Sequence, residues 1–457
     1  MNLRKKLSIG LMGIGTAWLI AAGIFLVEPI TCRAETAIRQ LTLDASLSTP
    51  VIHRDRTQTV YLRIGLTGFD LEPAGKRAPV NLGLVIDRSG SMASENKLEK
   101  AKEAAIMVIH RLDREDIVSI VMYDSHIQVL VPATKVRDKE TIIEQIRQIR
   151  PGGSTALHGG VQAGAEEMRK FLSHGRVNRM LLLSDGLANV GPSAPAELGN
   201  LGARLIRDGI SVTTIGLGLG YNEDLMSQLA FRSDGSHYFA EEPQDLAKVF
   251  DQELGRALSA VAQGVTIHIR CQPGVRPVKI LGRDGRIDGM EVFIPIQQIF
   301  SRHERYAIVE LEVPGLSPVA SQDYRFVAVV DVDYDNLATQ HKDRLESRLN
   351  VSYTTSDSVV EEKTNKKVMI DVVRQIANEN SERAVVLRDQ GQIEEAQRVL
   401  GENASYLYMN GNKLGSEELK QYGTQNSTDA SNIKDSSRWG YQRKSMRETQ
   451  SINRGQR

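Results

Sequence analysis

Residues 80–92 read VNLGLVIDRSGSM, and the rest of the fold is read outward from this stretch. Leu82 to Ile86 is a continuous apolar run of strand length, the pattern of a strand buried on both faces. Asp87, Ser89 and Ser91 follow directly on a tight polar turn. Lys97 to Leu112 then repeats apolar residues at helical spacing, with Leu98, Ala101, Ala105, Val108 and Leu112 on one side. Strand, turn and helix in this order make the first unit of a parallel sheet.

The pattern continues downstream. Ile117 to Met122 and Ile127 to Val131 read as strands, and Thr141 to Ile149 and Leu157 to Leu172 as helices. Met180 to Leu183 is a buried strand, Leu198 to Ile206 a helix and Val212 to Leu217 a strand. Leu246, Val249, Phe250, Leu254, Leu258 and Val261 trace a closing helix. The expectation for residues 79–263 is an α/β unit, a doubly wound, mostly parallel sheet with helices on both faces.

On either side the period falls to two. Val60, Leu62, Ile64 and Leu66 alternate with polar or small residues, as do Val265, Ile267, Ile269 and Cys271. The early strands near residues 38–70 have no sheet of their own. They are expected to pair with residues 264–355 in an antiparallel β-sandwich, in which the α/β unit is inserted or by which it is followed. Residues 360–422 read as a helical hairpin broken at Gln390-Gly391, and the polar stretch 423–457 as a disordered tail.

Hydrophobic residues at 41% and charged residues at 25% fit a globular protein and exclude a collagen-like or multi-span membrane chain. Basic and acidic residues balance at 57 each, so no bulk charge draws the chain to nucleic acid, and none is expected as a partner. Two cysteines exclude a disulfide framework. Arg4, Lys5 and Lys6 precede an uncharged stretch from Leu7 to Val27, and Cys32-Arg33-Ala34 supplies small residues at a cleavage site. Residues 1–34 therefore read as a secretory signal, or as an uncleaved anchor, since the stretch is long enough to span a bilayer. Either way the protein is expected outside the cytoplasm (periplasmic, secreted or at the cell surface), in contact with a membrane only if the segment is retained. In that compartment Cys271 is expected to be a buried small hydrophobe.

In a doubly wound sheet, ligands sit beyond the carboxyl ends of the strands. Asp87, Ser89 and Ser91 lie at that edge, and two further loops should reach it: Gly152-Gly153-Ser154-Thr155 and Ser184-Asp185-Gly186. Hydroxyls and carboxylates are hard oxygen donors suited to Mg²⁺ or Mn²⁺. Asp87, Ser89, Ser91, Thr155 and Asp185 are more donors than an octahedral ion that keeps water can take directly. About three direct contacts are expected, with Asp185, or both carboxylates, acting through water. Ser154 is the alternative to Thr155. Any one of these residues alone reads equally well as a helix N-cap; it is three loops meeting at one edge that argues for a site.

The set Asp87-x-Ser89-x-Ser91, Thr155 and Asp185 resembles the metal-ion-dependent adhesion site of von Willebrand factor type A (vWA) domains. The likeness spans about residues 78–262. With Ser-Gly-Ser-Met, Leu-Ser-Asp-Gly and Gly-Leu-Gly, it is similar to the bacterial branch, near the inter-alpha-trypsin-inhibitor heavy-chain type. The resemblance implies a metal-dependent protein-binding module in which an Asp or Glu of a partner protein completes the coordination of the ion. It also implies that ligand capture displaces the last helix, which here leads straight into the sandwich.

Other signals are weaker. Gly216-Leu217-Gly218-Leu219-Gly220 lacks the dinucleotide spacing and comes too late in the unit. Asp331, Asp333 and Asp335 alternate along one strand face or form a small acidic loop, and read as a solvated edge. A Mg²⁺-dependent phosphoester hydrolase and a structural assembly protein with a purely structural metal are the alternative functions. The hydrolase lacks a partnered His or Lys to serve as base, so no enzyme activity is expected.

Overall fold

The computed structural model describes residues 40–71, 77–316 and 323–456. The expected signal or anchor at 1–34 lies outside them. Among the described residues no helix is long and apolar enough to cross a membrane.

Three strands open the chain: β1 (Leu41–Leu47), β2 (Val51–His53) and β3 (Gln58–Gly68). The α/β unit follows. Its first half is β4 (Val80–Asp87), one 3-10 turn (Gly90–Ala93), α1 (Lys97–Arg111), β5 (Ile117–Tyr123), β6 (Ile127–Lys135) and α2 (Lys139–Arg147). Its second half is α3 (Leu157–Arg169), β7 (Val177–Ser184), α4 (Pro195–Arg207), β8 (Ser211–Leu217), α5 (Glu223–Arg232), β9 (His237–Ala240) and α6 (Asp245–Leu258). The sandwich strands resume with β10 (Ala260–Cys271), β11 (Arg276–Leu281), β12 (Arg286–Asp288), β13 (Glu291–Phe300), β14 (Glu304–Val313), β15 (Tyr324–Asn336) and β16 (Lys342–Thr354). Helices close the chain: α7 (Asp357–Glu362), α8 (Lys366–Asp389), α9 (Ile393–Leu414), α10 (Glu417–Asn432) and α11 (Trp439–Gly455).

The α/β sheet has the order β6-β5-β4-β7-β8-β9, parallel except for β6. The connections reverse direction between β4 and β7, and a crevice opens beyond the ends of those two strands. Alternation within β4 explains the layering. Leu82, Leu84 and Ile86 share one core with α1, α2 and α6, while Val85 joins Val121 and Leu182 in another under α3, α4 and α5. Gly83 lets α3 approach, since a Cβ there would meet Met168 Sδ at 2.8 Å.

The sandwich pairs a β1-β3-β14-β11 sheet with a β12-β13-β10-β15-β16-β2 sheet. Inward residues of both, including Val60, Leu62, Ile64, Ile267 and Ile269, fill one apolar core. β3 precedes the α/β unit and β14 follows it, yet the two pair along Gln58–Thr67, so the unit is inserted between paired strands. Phe300 and Leu337 of the sandwich enter the α/β core. Arg305 grips Asp234 of the α/β unit through two hydrogen bonds of 2.7 and 2.8 Å.

Two expectations are corrected. Residues 423–456 are not a disordered tail; they form most of α10 and all of α11. Their buried face is largely polar and held by hydrogen bonds, so apolar periodicity does not reveal it. Asn403 donates to Asn426, Gln442 to the Asp429 carbonyl and Gln450 to Ser381. Of the acidic residues of β15 only Asp333 is exposed, so Asp331 and Asp335 are not part of a solvated edge. Asp331 is buried between Arg270 and Arg344, and Asp335 accepts from His174 or pairs with it at 2.9 Å.

Candidate metal centre

β4 delivers Asp87 to the sheet edge, where it is buried. Its Oδ1 accepts the Ser89 N–H at 2.8 Å and its Oδ2 the Ser184 hydroxyl at 2.7 Å. Burial pushes its carboxyl up to about 6, against the lowering effect of these donors. Leaving water is costly for a carboxylate with no cation beside it, and a bound metal ion removes that cost.

Beyond β4 the turn places the Ser89 and Ser91 hydroxyls 3.1 Å apart. Ser91 donates to Asp185 Oδ1 at 2.6 Å, and Lys97 donates to Asp185 Oδ2 at 3.1 Å. The second loop is stitched to the first. Gly90 donates to the Gly153 carbonyl at 3.0 Å, and Gly152 to the Arg88 carbonyl at 2.8 Å. Thr155 is buried and its N–H is held by Asn189 Oδ1 at 2.8 Å, whereas Ser154 is exposed. The hydroxyl that turns into the site is therefore that of Thr155.

Gly186 measures the cradle. A Cβ at that position would lie 3.1 Å from Thr155 Oγ1, 3.4 Å from Ser91 Oγ and 3.8 Å from Ser89 Oγ. Three hydroxyl oxygens from two loops thus surround one point, and the third loop contributes no side chain there. Asp87 and Asp185 flank the cradle, both buried. Among the described residues no group of three or more His, Cys, Asp or Glu is placed to hold a metal. This is the composition of a cradle made mainly of hydroxyls, and its hard oxygens suit a small divalent ion.

Several neighbours have roles that the sequence reading does not assign. Ser184, just before Asp185, orients Asp87. Asp124, at the end of β5, pairs with Arg88 at 3.0 Å and accepts the His126 N–H at 2.7 Å. Lys97 begins α1 and reaches Asp185. Ser184 carried a signal as part of the Ser184-Asp185-Gly186 loop, and Asp124 as a carboxylate at a strand's carboxyl end; Lys97 carried none. Gly220 has a steric role, since a Cβ there would lie 2.7 Å from the Asp185 carbonyl. Leu187 and Leu219, each next to a glycine of the cradle wall, are 59% and 60% exposed.

Residues 81–252 match the family model of the von Willebrand factor type A domain. The inserted α/β unit is a vWA domain. A Synechocystis protein, sll0103, is 31% identical over 182 residues, which cover 40% of this chain and 42% of that one. Human inter-alpha-trypsin inhibitor heavy chain H3 is 26% identical over 168 residues, covering 34% of this chain and 18% of its own. The chain thus spans less than half the length of either relative. Among solved structures, a vWA protein from Catenulispora acidiphila superposes with a TM-score of 0.66 at 15% identity, covering 84% of this chain and 91% of that one. The ArnB paralog VWA2 from Sulfolobus acidocaldarius gives 0.62 at 17% identity, covering 91% of this chain and all of its own. At these coverages the shared fold takes in more than the vWA domain. Domains of this family commonly mediate metal-dependent protein interaction.

Proposed function

We propose that the protein is an extracytoplasmic, metal-dependent protein-binding module and not an enzyme. The observation that carries this reading is the convergence of the Ser89, Ser91 and Thr155 hydroxyls on one point beside two buried carboxylates. Ser89, Ser91 and Thr155 would hold Mg²⁺ or Mn²⁺, with Asp87 and Asp185 acting through water. The ion supplies a directional positive anchor for a carboxylate. Holding both acids beyond direct contact keeps that anchor electrophilic toward an Asp or Glu of a partner protein. Exposed Leu187 and Leu219 at the rim supply apolar contact around the anchor. The basic and then apolar N-terminal sequence supports the location.

The test is capture of envelope proteins on the immobilised full chain in Mg²⁺, followed by elution with EDTA. Asp87→Ala and Thr155→Ala are expected to abolish Mg²⁺-dependent capture while leaving the circular dichroism of the sheet unchanged. Capture that is indifferent to EDTA contradicts the reading.

A further inference from the structure

Lys97 is an unusual first residue for a helix. A helix N-terminus carries partial positive charge and disfavours a cation. The two residues before it, Glu95 and Asn96, both adopt left-handed backbone, with φ of 53° and 59°. Asn96 at the cap position makes no side-chain cap hydrogen bond. The Lys97 side chain is nonetheless largely buried, at 12% exposure, with Nζ 3.1 Å from Asp185 Oδ2. Its other acidic neighbour, Glu95 Oε2, lies at 3.6 Å and is mostly exposed. The loop after β8 closes over it, since a Cβ on Gly218 would sit 3.8 Å from Nζ. Arg88, the other cation of the edge, is already paired with Asp124.

We propose that Lys97 sets the charge of the metal centre, so that the loaded site is cationic and selects an anionic partner group. The inference rests on the metal-dependent reading above and adds a residue to it. Asp87, Asp185 and Lys97 together carry one negative charge when both acids are ionised; Glu95 is mostly exposed, and its charge is screened by solvent. A divalent ion brings this set to one positive charge, and a partner carboxylate then neutralises it. Without the ammonium, the same ion would already be neutralised by the two acids, and an incoming carboxylate would leave the site negative. Lys97 therefore lowers affinity for the divalent ion and raises affinity for the anion. Because Lys97 and Asp185 are largely buried, such charge terms are less screened than in water.

The test uses the full chain as wild type, Lys97→Met, Lys97→Gln and Lys97→Arg. Mn²⁺ binding is followed by electron paramagnetic resonance, and acetate binding to the Mn²⁺-loaded protein by water proton relaxation. Lys97→Met and Lys97→Gln are expected to bind Mn²⁺ about tenfold more tightly and acetate about tenfold more weakly, while Lys97→Arg behaves as wild type. Equal Mn²⁺ and acetate affinities in all four proteins overturn the role of Lys97 and leave the metal reading standing. Weaker Mn²⁺ binding by Lys97→Met and Lys97→Gln, with near-ultraviolet dichroism intact, also overturns it. Absence of Mn²⁺ uptake by wild type overturns the metal reading and the inference together.

Discussion

Arg179 of β7 and Glu253 of α6 form an ion pair of 3.0 Å with side chains 1% and 0% exposed. Glu253 also accepts from Thr213 at 2.6 Å and Tyr238 at 2.7 Å, and Arg179 reaches Gln298 of the sandwich. The last helix of the vWA domain is thus pinned both to its own sheet and, through Arg179, to the neighbouring domain. Removing one partner strands a buried charge. Glu253→Ala is expected to cost about 3–5 kcal/mol in chemical denaturation, and the double variant Arg179→Met with Glu253→Leu to recover part of that loss. A cost below 1 kcal/mol for Glu253→Ala would show that the pin does not hold the helix.

The β9 edge of the vWA sheet is covered by α11. The His237 N–H of β9 donates to Ser451 Oγ at 2.9 Å and the Phe239 N–H to Glu448 Oε1 at 3.2 Å. An uncovered edge strand invites pairing with other chains. Ser451→Ala with Glu448→Ala should speed hydrogen exchange at these two amides and cost roughly 1 kcal/mol per lost hydrogen bond. Unchanged exchange would mean that α11 does not protect the edge.

His237 makes stability depend on pH. Burial lowers its imidazole to about 3 from an ordinary 6.5, and its ring nitrogens face Thr214 at 3.0 Å and Tyr221 at 3.4 Å. The folded state keeps the ring neutral while the unfolded chain takes up a proton below 6.5. Stability is therefore present above that value and lost as pH falls toward 3. His237→Gln removes this dependence. Between pH 7 and pH 5, wild type should lose about 2 kcal/mol relative to the variant in urea unfolding. A constant difference across that range would contradict the assignment.

How much of this was legible in the sequence follows from what each signal rests on. The layers of the vWA domain could be read because Leu82, Leu84 and Ile86 are buried by apolar packing, which leaves a period in the chain. The gathering of Asp87, Ser89, Ser91, Thr155 and Asp185 could be read because their loops end at one sheet edge. Lys97 could not, since its contact with Asp185 depends on a three-dimensional approach and its own segment looks like a solvated helix start. Nor could α11, whose buried Lys444 is held by Glu223 at 2.5 Å and by the Tyr221 carbonyl at 2.8 Å. A buried charge with its partner more than 200 positions away in sequence looks like any surface lysine. Asp331 looks solvated in the sequence because its partners, Arg270 and Arg344, stand on the two neighbouring strands.

The most direct measurement is an anomalous difference map from crystals of the full chain soaked in Mn²⁺, compared with Gly186→Ala crystals treated identically. The account predicts one strong peak among the Ser89, Ser91 and Thr155 hydroxyls in wild type. It predicts none in the variant, whose methyl group would stand 3.1 Å from Thr155 Oγ1. A wild-type map with no peak at that point, or a peak that survives Gly186→Ala, would contradict the account.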